Sequence, residues 1–223
     1  MKFIEQVKKD RATINSLKSK KEKGIFIWDY YKIPIISIII VLTICITVIT
    51  NALIKKPIVM YTVLLNSDSQ LVEADESIFI EVLKKAGVDV ENKEVDINDY
   101  LSLGISEDEK SDVETLQVLN ALFSITDLDL FVSYKDQFDL FIDKDAFADL
   151  SLLIDKDILD KHQDDLYIYK NSNGEKIVGG IILHDNSLLH EAGYYHNDVV
   201  VGAVANGVNL ENAIYFIKQL LID

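Results

Sequence analysis

Residues 33–54 run for 22 positions without a charged side chain, and 14 of them are Ile, Val or Leu. As an α-helix the run spans about 33 Å, enough to cross a hydrocarbon core of about 30 Å. At roughly −0.5 kcal/mol for each large aliphatic residue, insertion is favoured by about −7 kcal/mol, less what Asn51 and the Thr residues cost. The stretch keeps no polar face of the kind a soluble helix turns to water. It reads as a transmembrane helix, which makes the lipid bilayer the first partner of this chain. Phe26, Trp28, Tyr30 and Tyr31 precede it as an aromatic belt should. Pro34 stands where a helix can begin, and Pro57 where one must stop.

Charge divides around this run. Residues 1–32 hold nine basic and four acidic residues, a net of +5. Lys55 and Lys56 follow the run, and residues 57–223 hold 11 basic against 33 acidic residues, a net of −22. A basic N-terminal segment stays in the cytoplasm, so the expected topology is a single-pass cell-membrane protein with its C-terminal domain outside the cytoplasm. The leader is long and the apolar run exceeds the usual 7–15 residues of a signal peptide, so an uncleaved anchor is expected. Leu42-Thr43-Ile44 before Cys45 places a bulky residue where a lipoprotein signal wants a small one, and Cys45 reads as one more apolar anchor residue. In the leader, Phe3, Val7, Ile14 and Leu17 share one helical face. That face fits an interfacial helix, a docking helix, or a plain basic tail that sets topology. The acidic excess of the outer part excludes a nucleic-acid binder, and one Cys excludes an internal disulfide framework.

Residues 57–223 read as alternating strands and helices. Ile58–Leu65 is a continuous apolar run, as in a strand buried on both faces. A helix is expected over about 74–86, stopped by Gly87, and a weak strand at Val95 and Ile97. Ser111-Asp112-Val113-Glu114 is a capping box expected to open a second helix. Leu128–Val132 is the next buried strand, and a broken helical region follows through Phe138, Phe141, Phe147 and Leu150. Leu166–Lys170 and Ile177–Leu183 flank Asn173-Gly174, the strongest hairpin signal. Val199–Ala205 is a further strand, and Asn209 is expected to cap a last helix. With 49% hydrophobic residues and this alternation, a three-layer or mixed α/β domain is expected.

Motifs that carry chemistry are missing: no Walker loop, GxGxxG, GxSxG, HExxH or EF-hand loop is present. Asp143-Lys-Asp145 and Asp155-Lys-Asp157 lack the Gly and Glu of a calcium loop. His184, His190 and His196 are weak metal candidates, because a spacing of six does not bring side chains together on one helix or strand. No cofactor is implied.

Three stretches resemble the type 2 extracellular solute-binding (periplasmic binding protein) family. They are Leu128–Tyr134 (LDLFVSY), Phe147–Leu150 (FADL) and Val199–Leu221 (VVVGAVANGVNLENAIYFIKQLL). The segment WDYYKIPII also resembles that of Firmicutes proteins that hold such a domain outside the membrane. The resemblance implies a mixed α/β domain like one lobe of a solute-binding protein, with the second lobe missing between Leu150 and Val199. A crevice with one wall cannot bury a small ligand as a two-walled one does. Open α/β sheets place sites at the carboxyl ends of strands, which makes Asn66, Ser67, Asp68, Ser133 and Tyr134 the candidate ligand-binding residues.

Three function classes follow. The first is a non-catalytic, membrane-anchored extracytoplasmic binding or interaction protein whose partner is a membrane or cell-surface protein, or a small solute. The second is a structural or accessory subunit of a membrane complex, with Thr43, Thr47 and Thr50 as a small-residue stripe against another helix. The third is a metal-dependent surface hydrolase built on the His segment.

Overall fold

In a computed structural model, residues 10–11, 13–16, 19–54, 56–70, 74–104, 109–184 and 187–222 are described. The chain forms two compact units that divide between Lys55 and Lys56.

The first unit is dominated by one helix, α1 (Lys20–Ile54). It is long and apolar enough to cross a membrane, and it begins well before the uncharged run. Pro34 therefore lies inside the helix, not at its start. Lys and Glu at 20–23 are good helix formers, and they extend the helix through the aromatic belt. Its Ser and Thr hydroxyls bond within the helix. Ser37 donates to the Ile33 carbonyl, Thr43 to Ile39 at 2.9 Å, Thr47 to Thr43 at 2.9 Å and Thr50 to Ile46 at 2.8 Å. Such back-bonding lets a hydroxyl sit among apolar surroundings without an orphaned donor. Of the leader face, Phe3, Val7 and Leu17 lie outside the described residues.

The second unit is a mixed α/β domain on one six-stranded sheet. The strands are β1 (Ile58–Leu64), β2 (Glu94–Asn98), β3 (Leu130–Ser133), β4 (Leu166–Lys170), β5 (Lys176–Leu183) and β6 (Val199–Ala203), in the order β2-β1-β3-β6-β5-β4. The first three are parallel. The pairs β3/β6, β6/β5 and β5/β4 are antiparallel. The central strands bury both faces, which is why they read as unbroken apolar runs. Leu130 and Val132 enter one core with α2 (Ser77–Lys85) and α7 (Leu210–Ile222); Phe131 enters the other, which draws on α3 (Glu109–Ser124) and α4 (Lys135–Ile142), and two short helices, α5 (Lys156–Leu159) and α6 (Leu188–Glu191), lie between α4 and α7 in the chain. The second core is aromatic. Phe123, Phe131, Phe138, Phe141 and Phe147 pack ring on ring, with Phe138 and Phe147 stacked at 3.9 Å. Gly202 of β6 leaves room for these rings, since a Cβ there would stand 2.7 Å from the Phe138 ring.

Two boundaries differ from the sequence reading. Helix α3 begins at Glu109, so Ser111 lies inside it and the capping box does not open it. The Asp112 carboxylate accepts instead from the Gly104 N–H of the preceding loop at 2.9 Å. Asn209 does precede α7, but its side-chain amide donates to Asp129 at 3.0 Å. Asp129 is fully buried. Its carboxylate accepts from the Tyr61 N–H at 2.8 Å and the Asn209 N–H at 2.6 Å, tying β1 to the start of α7. At the hairpin the Asn171–Gly174 turn closes with Gly174 at φ +81°, the left-handed conformation glycine adopts without strain. The open sheet edges are β2, which carries Glu94 and Asp96, and β4, which has an irregular register between Tyr167 and Ile168.

Candidate functional site

The site begins at the carboxyl ends of β1 and β3, where the backbone leaves the sheet and turn residues follow. Asn66 has φ +60° and is buried. Its amide donates to the Leu103 carbonyl at 2.9 Å and accepts from the Leu103 N–H at 2.7 Å. Both functions of the amide are therefore spent on holding the 101–103 loop. Ser133 is also buried, and its hydroxyl donates to the Tyr134 carbonyl at 3.1 Å. These two candidates face inward and serve the fold.

Ser67, Asp68 and Tyr134 are brought together by a segment that sequence reasoning valued only for its histidine. Residues 194–196 lie across the strand ends. Ser67 donates its hydroxyl to the Tyr194 carbonyl at 3.1 Å, and the Asp68 N–H donates to the same carbonyl at 2.8 Å. The Asp68 carboxylate meets His196 Nδ1 at 2.6 Å. Tyr195 is 1% exposed. Its hydroxyl donates to the carbonyls of Leu65 and Val132, both at 3.1 Å, one at the end of each strand. Its ring meets that of Tyr134 edge-on at 5.6 Å. The crevice at the strand ends is thus filled from within the chain. The signal available was Gly193-Tyr194-Tyr195, a left-handed glycine (φ +85°) followed by two large aromatics in an otherwise polar stretch.

Burial sets the electrostatics here. It pushes the Tyr195 hydroxyl well above the ordinary phenol range, with Tyr134 and Asp68 adding to the effect. Tyr134 is raised mainly by burial and further by Asp68, against a hydrogen bond with Asn197 that lowers it. Both phenols stay protonated at neutral pH, and that of Tyr195 acts as a hydrogen-bond donor. Tyr194 is raised by burial as well.

The three histidines stand near the same end of the sheet but on different partners. His184, just after β5, lies between two carboxylates: Nδ1 is 2.9 Å from Asp198, and Nε2 is 3.3 Å from Asp165. His162 Nδ1 is 3.2 Å from the other oxygen of Asp165. His190 Nδ1 meets the Ser187 hydroxyl at 2.6 Å, and its Nε2 meets the Asn197 carbonyl at 2.7 Å. His196 is bound to Asp68. The carboxylates at His184 approach opposite nitrogens of the ring, so they cannot share one ion with it. Among the described residues no group of three or more His, Cys, Asp or Glu is placed to hold a metal.

The His184 pair predicts a pH dependence. The hydrogen bond that the ring donates to the Asp198 carboxylate, with Asp165 adding, raises the imidazole above its ordinary 6.5, against a smaller opposing effect of burial. A raised value in the folded state means that the contribution is complete below pH 6.5 and is lost as pH rises through the raised value. Thermal unfolding of the domain is expected to show slightly lower stability at pH 8 than at pH 6, by on the order of a few tenths of a kcal/mol because the ring is half exposed and screened. His184→Gln should abolish that slope; an unchanged slope in the variant assigns it elsewhere.

No protein-family model, curated protein or solved structure matches this chain.

Proposed function

We propose that this protein is a single-pass, membrane-anchored interaction module, with its basic leader in the cytoplasm and its acidic α/β domain outside. In this reading it is non-catalytic, and the six-stranded α/β domain serves as a scaffold. The observation that carries the reading is the position of Tyr195, whose ring and hydroxyl occupy the crevice where an open α/β sheet would hold a small ligand. Asp68, Tyr134 and His196 remain around it as a shallow polar and aromatic face, a composition suited to contact with another protein. Docking through α1 has less support, because the hydroxyls of Thr43, Thr47 and Thr50 are already bonded within their own helix.

Melting of the protein against a panel of amino acids, sugars, oxyanions and short peptides tests the reading. The expected result is no shift above about 1 °C. A ligand held at 100 times its dissociation constant adds about 2.7 kcal/mol, which for a domain of this size is a rise of several degrees. A saturable rise of that kind with any member of the panel would overturn the interaction reading in favour of solute capture. Protease added to intact cells tests the orientation: the domain should be digested together with a known surface marker.

A further inference from the structure

The two ends of the sheet differ in kind. The carboxyl end of β1 and β3 is polar and carries the Asp and His pairs described above. The opposite end, where β1 begins, carries exposed apolar side chains set among a few polar ones. A groove of about 230 Å³ lies there, lined by Ile58, Ile125 and Val208 together with Leu122 and Tyr61. The chain passes along Val208–Glu211 into a second groove of about 440 Å³, which Leu153 also lines. Val208 is 68% exposed, Ile125 and Leu153 47% each, and Ile58 44%. The Asn212 amide, which donates to the Val59 carbonyl at 2.7 Å, holds the start of α7 against the start of β1 and fixes this end as one surface.

Covalent distance says what this surface meets. Only Lys55, Lys56 and Pro57 separate α1 from Ile58, the first residue of β1. Four extended residues reach at most about 14 Å. The headgroup layer on each side of a bilayer is roughly 5–8 Å thick. If 33–54 spans the membrane, as the proposed function has it, the start of β1 cannot rise far above the headgroups. An exposed apolar fringe at the end of a domain marks a contact surface. The length of chain available makes lipid the partner within reach.

We infer that the apolar fringe of Ile58, Ile125, Leu153 and Val208 rests in the headgroup layer of the membrane that anchors the chain. Asp96 and Asp127 line the first groove and Glu211 the second. These carboxylates do not attract anionic lipid, so the contact is with the interface of a zwitterionic bilayer and depends on apolar burial. The domain is thereby oriented, with its Asp68 and Tyr134 face directed away from the lipid.

The test uses the full chain in phosphatidylcholine nanodiscs, with single cysteines labelled by an environment-sensitive fluorophore. Native Cys45 reports the span; Val208→Cys and Ile125→Cys report the fringe and Asp136→Cys, in the first turn of α4, reports the other end, each of the three made with Cys45→Ser. The expected result is that lipids carrying a shallow spin label remove more than about half of the fluorescence at 208 and 125, while the label at 136 responds only to aqueous iodide. If Cys45 is quenched by lipid but 208 and 125 answer to iodide as 136 does, the anchor stands and the resting surface is wrong. Shielding of 208 and 125 from iodide without quenching by lipid would mean that another protein copy covers the fringe, and would overturn the inference. A Cys45 that lipid does not quench removes the anchor and the inference together.

Discussion

Phe131→Ala is expected to destabilise the domain by about 3–5 kcal/mol, a large share of the roughly 5–15 kcal/mol that a domain has. The residue has no solvent exposure and sits in the middle strand of the sheet. Its ring lies 5.1 Å from Phe123, 5.5 Å from Phe141, 6.0 Å from Phe147 and 6.1 Å from Phe138, centroid to centroid. Removing it deletes the shared neighbour of four aromatics that stand on three different segments, so the space cannot be closed by the shift of one helix. Urea unfolding of the 56–223 fragment checks this. Phe131→Leu retains most of the buried volume and should lose about half as much or less. A loss below 1 kcal/mol for the alanine variant would mean that the cluster repacks freely and that the second core is not specified by ring shape.

A comparable effect is expected from Asp129→Ala, for a different reason. The carboxylate accepts three hydrogen bonds in a place with no access to solvent. Alanine leaves the N–H groups of Tyr61 and Asn209 unpaired, and each orphaned donor costs about 1–3 kcal/mol. The sum is about 2–6 kcal/mol, a range that brackets the roughly 3–5 kcal/mol that breaking a buried charged network costs. Asp129→Asn keeps the shape and one good acceptor, but it turns an amide N–H towards donors, so it should recover only part of the loss. The two substitutions also separate by location. Hydrogen exchange in the Asp129 variant should accelerate first at Tyr61 and at the start of α7, whereas the Phe131 variant should loosen α3 and α4. Equal acceleration everywhere in both would mean that the domain opens only as a whole.

Much of this fold was legible because burial on both faces writes itself into sequence as unbroken apolar runs. Ile58–Leu65, Leu128–Val132 and Val199–Ala205 read as such runs, and the strands Ile58–Leu64, Leu130–Ser133 and Val199–Ala203 lie on them within one or two residues at each end. The hairpin was legible for a second reason, the turn chemistry of Asn173-Gly174. The start of α3 was not, because Ser111 and Glu114 match a capping pattern that the folded chain does not use, while Asp112 serves the loop at Gly104. Nor was the start of α1. The Lys-rich stretch before the apolar run has helix-forming residues but no apolar period to reveal them. At the candidate site, local rules found the turn residues after β1 and β3 but not what covers them. Tyr195 reaches Leu65 and Val132 across 130 and 63 positions of sequence; Gly193-Tyr194-Tyr195 marks a turn with two large aromatics but does not say which strand ends they reach. The inward turn of Asn66 has the same origin, since its partner Leu103 lies 37 positions away, whereas Ser133 bonds the carbonyl of the adjacent Tyr134 and is buried by the strands around it.

The guarded margins of the sheet carry a last consequence. A row of unpaired strand groups invites another chain to add to it, and, for a chain anchored as proposed, molecules confined to two dimensions meet far more often than the same number in solution. The acidic residues of β2 set like charges against each other when two copies approach by that margin, and the broken register of β4 spoils the straight template that a second strand would require. Many copies can therefore be packed into a small area without zipping into a continuous ribbon.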